Sequence, residues 1–154
     1  MGFKVYGVDV SNYKLTHPNF TFVKEDIRST SSPNNFFDMV IAISTIEHTG
    51  LGYYGDKLDR HGDKKAIKEI FRILKNNGKF IITLPFGKKS INSWYRAYDK
   101  KLINELLPHF RVRKMKFFVK KPNYWLQSKI SEAEEIENKG KNVNAVILIL
   151  ATKK

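Results

Sequence analysis

Phe37–Gly87 reads FDMVIAISTIEHTGLGYYGDKLDRHGDKKAIKEIFRILKNNGKFIITLPFG. Asp38–Ser44 is a near-continuous apolar run, the mark of a central strand covered on both faces. Thr49–Gly62 is rich in glycine and charge and reads as a loop. Asp63 is placed to cap the helix that follows. Ile67, Ile70, Phe71 and Leu74 recur at helical spacing and form one apolar stripe. Asn77-Gly78 is expected to close that helix as a left-handed cap. Lys79–Leu84 is a second buried strand, stopped by Pro85. A strand, a polar loop, an amphipathic helix and another strand form the repeating unit of an α/β sheet.

Working outward, Phe3–Val10 reads as a strand with Asp9 near its carboxyl end, and Phe20–Val23 as a short second strand running into Lys24-Glu25-Asp26. Only Ser11–Asn19 separates them. A parallel crossover takes about a dozen residues, so at most one helical turn fits there. Ser29–Asn35 is a polar loop. Downstream, Asp99–Leu107 repeats the helical logic and Pro108 ends it. Phe110–Val119 is a strand close to an edge. Ser131 and Glu134 have the spacing of a capping box on a short acidic helix, and Val143–Thr152 is a closing strand. The order is β, β, β, α, β, α, β, short α, β. The last two strands, separated by a long excursion, are open to antiparallel pairing. Ligands of such sheets bind at the carboxyl ends of the strands, where Asp9, Glu25-Asp26 and Ser44–His48 all fall.

The 154 residues, 42% hydrophobic and 28% charged, fit one domain over 1–154 and argue against wholesale disorder. The absence of cysteine excludes disulfides and thiolate metal sites. No run approaches the ~18 apolar residues of a membrane span. The start MGFKVYGVDVS lacks the order of a signal peptide. A cytoplasmic location and no membrane partner are the expectations.

With these elements in place, the chain resembles the class I S-adenosylmethionine-dependent methyltransferases from about Lys4 to Leu84. The most specific block is similar to methyltransferase-like proteins of the type 11 kind that carry IEH-x-GLG-x-YGD, here Ile46–Asp56. The resemblance implies a Rossmann-like three-layer sandwich: a mostly parallel sheet with an antiparallel C-terminal strand, and S-adenosylmethionine as cofactor. It implies that Asp9, with Val10 beside it in VYGVDVS, holds the ribose hydroxyls. Asp26 in VKEDIR would meet the adenine amine with Ile27 against the ring. Ser44–His48 would face the methionine part and the acceptor. The family's opening strand and glycine-rich turn have no counterpart here, since Gly2 and Gly7 are the only early glycines. The chain is therefore expected to be N-terminally truncated relative to that pattern. In the family's strand order this leaves a gap between the strand ending at Asp9 and the strand at Phe37, or forces those two to pair directly.

The chemistry of the residues agrees. Vicinal hydroxyls and an exocyclic amine are donors that carboxylates accept well. His48 is a candidate general base and Glu47 its orienting partner. Adjacent residues cannot share a direction on an extended strand, so the two imply a bend after Ile46. Each candidate also has a plainer reading. Asp9 and Asp26 could cap turns, and Glu47 with His48 could be a buried pair that fixes a loop. The acids and histidines of Glu47–Asp63 match no recognised metal-ligand spacing, and no metal is expected.

Net charge is +13, and Lys88–Lys121 holds eleven Lys or Arg against Asp99 and Glu105. Trp94, Tyr95, Tyr98, Phe110, Phe117 and Phe118 interleave with those charges. Such a 88–121 segment suits nucleic acid, although aromatics in this setting are more often core and the charges solvated. Three functions stay open: a methyltransferase acting on a small molecule or glycan, an incomplete or non-catalytic module needing an oligomer or partner chain to complete its sheet, and a basic RNA-binding protein or RNA methyltransferase.

Overall fold

The computed structural model describes residues 2–154. Two parallel strands open it, β1 (Val5–Asp9) and β2 (Phe20–Lys24), paired from Val5 with Phe20 to Asp9 with Lys24. They form a separate two-stranded ribbon. β3 (Phe37–Ile43) follows, then α1 (Gly62–Ile73) and β4 (Leu74–Pro85). A small hairpin, β5 (Ser90–Ile91) with β6 (Arg96–Ala97), leads into α2 (Lys100–Leu106). β7 (Phe110–Lys120), β8 (Trp125–Ser128), α3 (Ile130–Glu134) and β9 (Ala145–Lys153) complete the chain.

The larger sheet has the order β3-β4-β9-β7-β8. β3 and β4 are parallel, and β9 inserts antiparallel between β4 and β7. β3, β4 and β7 therefore share one direction, in a mixed sheet with a parallel core. β9 alternates buried and half-buried residues along its whole length, as a strand with one packed face must. Ile147, Ile149 and Ala151 point to the packed face. There they join Phe80, Ile82, Leu84, Ala66, Ile67, Ile70, Leu106 and Phe110 in one core.

Four expectations are corrected. β3 is not a covered central strand. It is an edge, and Met39, Ile41 and Ile43 are 42%, 60% and 51% exposed on the face opposite the core. The register explains this: Met39, Ile41 and Ile43 lie beside Lys79, Ile81 and Thr83, all on the side away from α1. Asp63 is not the cap of α1, because His61 occupies that position and Asp63 is buried in the first turn. α1 ends at Ile73, so Asn77, at φ 61°, sits inside the irregular start of β4 rather than closing the helix. Ser131 is likewise inside α3, whose capping position is Lys129. Asp99 does cap α2, accepting the Leu102 amide at 2.7 Å. Among the described residues, no helix is long and apolar enough to cross a membrane.

No ladder joins β1 to β3. Aromatic and polar clamps hold the ribbon in place instead. Tyr6 packs edge-on against Phe36 and Phe37, with ring centroids 5.7 and 5.4 Å away. Glu69 on α1 accepts the amide and hydroxyl of Thr30 at 2.8 and 2.7 Å. Arg72, paired with Glu69, donates to the carbonyls of Thr30 and Ser32. Arg28 donates to the carbonyl of Lys57 at 2.7 Å. These contacts join start to start and end to end, so β1 and β3 run the same way.

Candidate cofactor and acceptor site

A cleft of about 1180 Å³ separates β1 from β3 and opens towards the loop after β3. Asp9, Val10, Asp26, Ile27, Ser44 and His48 all line it. Three strand ends that are distant in sequence thus converge where a parallel sheet presents ligands. Glu47 does not line the cleft; it is 3% exposed and lies behind His48.

The carboxylates differ in their freedom. Asp9 is exposed, and its Oδ1 accepts the Ser11 amide at 2.7 Å in a tight turn. Oδ2 has no hydrogen-bond partner among the described residues. Asp26 is engaged. Arg28 Nε donates to both of its oxygens at 3.0 and 2.9 Å, and Arg28 Nη2 adds a third bond at 2.5 Å. Those bonds hold the Asp26 carboxyl below the usual carboxylate range. Any donor meeting Asp26 shares it with a guanidinium.

The chain bends sharply at the end of β3. Ser44 adopts φ 49°, its amide donating to Thr83 Oγ1, and Ile46–His48 form one 3-10 turn. The turn sends Glu47 inward and His48 to the cleft wall. His48 Nδ1 lies 2.6 Å from the Trp94 carbonyl. A carbonyl only accepts, so Nδ1 carries the hydrogen and Nε2 keeps the lone pair of the neutral ring. Nε2 is 3.8 Å from Glu47 Oε1. Burial pushes the Glu47 carboxyl up to about 7, and its Oε2 has no hydrogen-bond partner among the described residues.

Beyond the turn, Gly50 and Gly62 touch backbone to backbone. A Cβ on Gly50, at φ +80°, would lie 2.3 Å from the Asp59 carbonyl, and one on Gly62 2.8 Å from Gly50 Cα. Arg96, 6% exposed, clamps this crossing. It donates to the Thr49 carbonyl at 2.7 Å and sits 3.7 Å from Asp63, which also accepts the Tyr98 hydroxyl at 2.9 Å. That carboxylate and burial raise the Tyr98 phenol far above its usual range, burial being the larger cause. Much of the glycine- and acid-rich block is thus a stapled loop. Asp56 fits the same reading, its Oδ2 accepting the Gly50 amide.

Sequence reasoning missed two parts of the site. One is Arg96, a lone arginine in an aromatic stretch, which has no pattern to mark it. The other is an aromatic wall: Tyr54 and Trp94 flank the His48 ring with centroids 5.4 and 5.5 Å away. Trp94 Nε1 donates to the Tyr54 hydroxyl, and Tyr53 packs edge-on against Tyr54. Tyr95, Tyr98 and Phe110 from the same basic segment are core, at 0%, 3% and 4% exposure.

The fold and the converging strand ends define a Rossmann-like protein of the S-adenosylmethionine-dependent methyltransferase architecture. Solved structures share it. A SAM-dependent methyltransferase from Methanosarcina mazei aligns at TM-score 0.64 and 14% identity over 96% of this chain and 81% of its own. The Burkholderia thailandensis 1,6-didemethyltoxoflavin-N1-methyltransferase, solved with its substrate and S-adenosylhomocysteine, aligns at 0.61 and 14% over 98% and 61%. The [4+2]-cyclase SpnF aligns at 0.56 and 13% over 88% and 56%. At such identities the likeness is one of fold, which alone does not fix a reaction. The chain belongs to the DUF268 family, described as Caenorhabditis protein of unknown function, whose model matches residues 20–121. No curated protein matches the sequence.

Proposed function

We propose that this protein is an S-adenosylmethionine-dependent methyltransferase acting on a small molecule or glycan. The observation that carries the reading is the convergence of Asp9, Ile27, Ser44 and His48 on one cleft. The donor set fits the cofactor: Asp9 offers a free carboxylate oxygen to paired hydroxyls, and Val10 and Ile27 offer apolar surface to a planar base. Asp26 would take the base amine alongside Arg28. The cleft volume is ample for a nucleotide-sized ligand. When bound, S-adenosylmethionine supplies a methyl group on a positively charged sulfur.

The acceptor would lie in the cleft against His48 and Tyr54, which both line it, the Tyr54 ring offering a surface that suits a sugar or ring. His48 Nε2 takes the proton from the acceptor hydroxyl or amine. Its Nδ1 bond to Trp94 fixes the ring and selects the tautomer. Glu47, uncharged below about pH 7, orients His48 and becomes a counter-charge once it ionises.

Isothermal titration with S-adenosylmethionine tests this reading. Saturable binding is expected, weakened about tenfold or more by Asp9→Asn, the loss of a charge-assisted bond. Absence of binding at millimolar cofactor would sink it. A second reading, a module that binds without transferring methyl, is favoured by the Arg28 bonds that already engage both oxygens of Asp26. Cofactor binding that His48→Gln leaves intact, with no methyl transfer by either protein across a panel of sugars and phenols, would select it.

A further inference from the structure

We propose that the β7–β8 hairpin, with the open sheet face beside it, docks this protein on an anionic lipid bilayer. The hairpin is the outermost part of the larger sheet. The Lys121 amide donates to the Tyr124 carbonyl at 2.8 Å and closes its turn. Three consecutive large side chains leave that turn uncovered: Tyr124, Trp125 and Leu126 are 60%, 45% and 44% exposed. Trp125 pairs with Lys120 and Leu126 with Val119. The two therefore point to opposite faces of the sheet, and neither face is covered there. Large apolar groups left in water on both sides of an edge strand mark a contact surface.

The face behind the hairpin is basic. β9 turns Ile147 and Ile149 to the core, so Leu148 and Leu150 stand on the opposite face, with Lys116 and Lys114 beside them in register. Arg111 lies beside Thr152 on the same side, and Arg113 donates to Thr152 Oγ1 at 3.1 Å. With Lys120 they make a basic row along β7. No acidic residue stands on the strands of this face, and no ion pair among the described residues uses that row. The helix side differs, for Lys64, Lys65 and Lys121 each pair with a carboxylate there.

A row of cations beside leucines, ending in a Tyr-Trp-Leu tip, fits a bilayer in both respects. Anionic headgroups take the Lys and Arg, and the layer beneath them takes the apolar tip. Tryptophan and tyrosine are favoured at that depth. A polynucleotide offers phosphates to the cations and stacking to the rings, but nothing to the leucines. A paired protein strand is disfavoured by the four-residue length of β8 and by the lysines beside it. The expectation of no membrane partner rested on the lack of a spanning segment, and surface docking needs no span. β7 lies three strands from β3, roughly 14 Å away, so docking leaves the cofactor cleft clear.

The test uses the full chain with vesicles of phosphatidylcholine alone or with roughly one-third phosphatidylserine. Sedimentation should show binding to the anionic vesicles only, weakening as salt rises. Lys114→Gln with Lys116→Gln should weaken it about tenfold or more, at about fivefold per cation lost. Lys100→Gln with Lys101→Gln makes the same charge change at exposed positions on α2 and should alter binding by less than about twofold. Trp125→Ser should weaken it about fivefold or more. Trp94→Phe leaves Trp125 as the sole tryptophan, and its emission should shift to the blue on anionic vesicles. No binding to anionic vesicles, equal loss from the two lysine pairs, or an unshifted Trp125 emission would overturn the proposal. So would single-stranded RNA that binds more tightly than vesicles and depends on Lys114 and Lys116, since it would assign the face to nucleic acid.

Discussion

Tyr6 of β1 reaches across the cleft to place its ring edge-on against Phe37 of β3, with centroids 5.4 Å apart. No hydrogen-bond ladder links the two strands. The pair thus does by side-chain packing what strand pairing does elsewhere in the fold, and sets the width of the cleft on which the functional reading depends.

A double-mutant cycle on this pair should find a coupling of about 0.5–1.5 kcal/mol, the range for aromatic pairs beyond their buried area. Urea unfolding of Tyr6→Ala, Phe37→Ala and the double variant measures it. Strictly additive losses would show that the Tyr6–Phe37 contact is not what couples the ribbon to β3.

Arg96 should matter more than its sequence context suggests. Arg96→Met leaves the Asp63 carboxylate buried without its cation and removes the donor to the Thr49 carbonyl. Breaking a buried pair from one side costs about 3–5 kcal/mol. Thermal unfolding should show the loss. Faster hydrogen exchange in 47–62 should accompany it, because that loop is what Arg96 clamps.

The helices and the long strands of the later chain were legible because their periodicities are local, whereas the short β5, β6 and β8 carry too few residues to show one. The Ile67–Leu74 stripe and the Asp99 cap need no distant information. Asp9, Asp26 and Ser44 could be placed at strand ends for the same reason. What escaped depends on contacts across the fold. The apolar run of β3 looks the same whether its second face is covered or open. The His48–Trp94 bond joins residues 46 apart in sequence. Asp63 looked like a cap until Arg96 and Tyr98 claimed its side chain.

Glu47 gives a pH signature with a definite sign. Its carboxyl is raised to about 7 in the fold by burial, so the folded state resists its ionisation. The neutral group is tolerated at acid pH, and stability falls as pH rises from the ordinary glutamate value through about 7. Glu47→Gln should remove that fall. It should match the parent at pH 4 and exceed it at pH 8 by up to about 3 kcal/mol. Melting temperatures at the two pH values provide the check.

Glu69 has the opposite sign. Hydrogen bonds from Arg72 and Thr30 hold it down to about 2, so its contribution is present above the ordinary glutamate value. That contribution disappears as pH falls from about 5 to about 2. Glu69→Gln should lower stability at pH 7 by about 1–3 kcal/mol, and the difference should close towards pH 2.

The central claim is that the β1–β3 cleft is the cofactor site. Amide chemical-shift mapping during titration with S-adenosylhomocysteine tests it most directly. The account predicts saturable shifts clustered at Val10, Ser11, Ile27, Ser44 and His48. Shifts centred elsewhere, or none up to millimolar ligand, would contradict it.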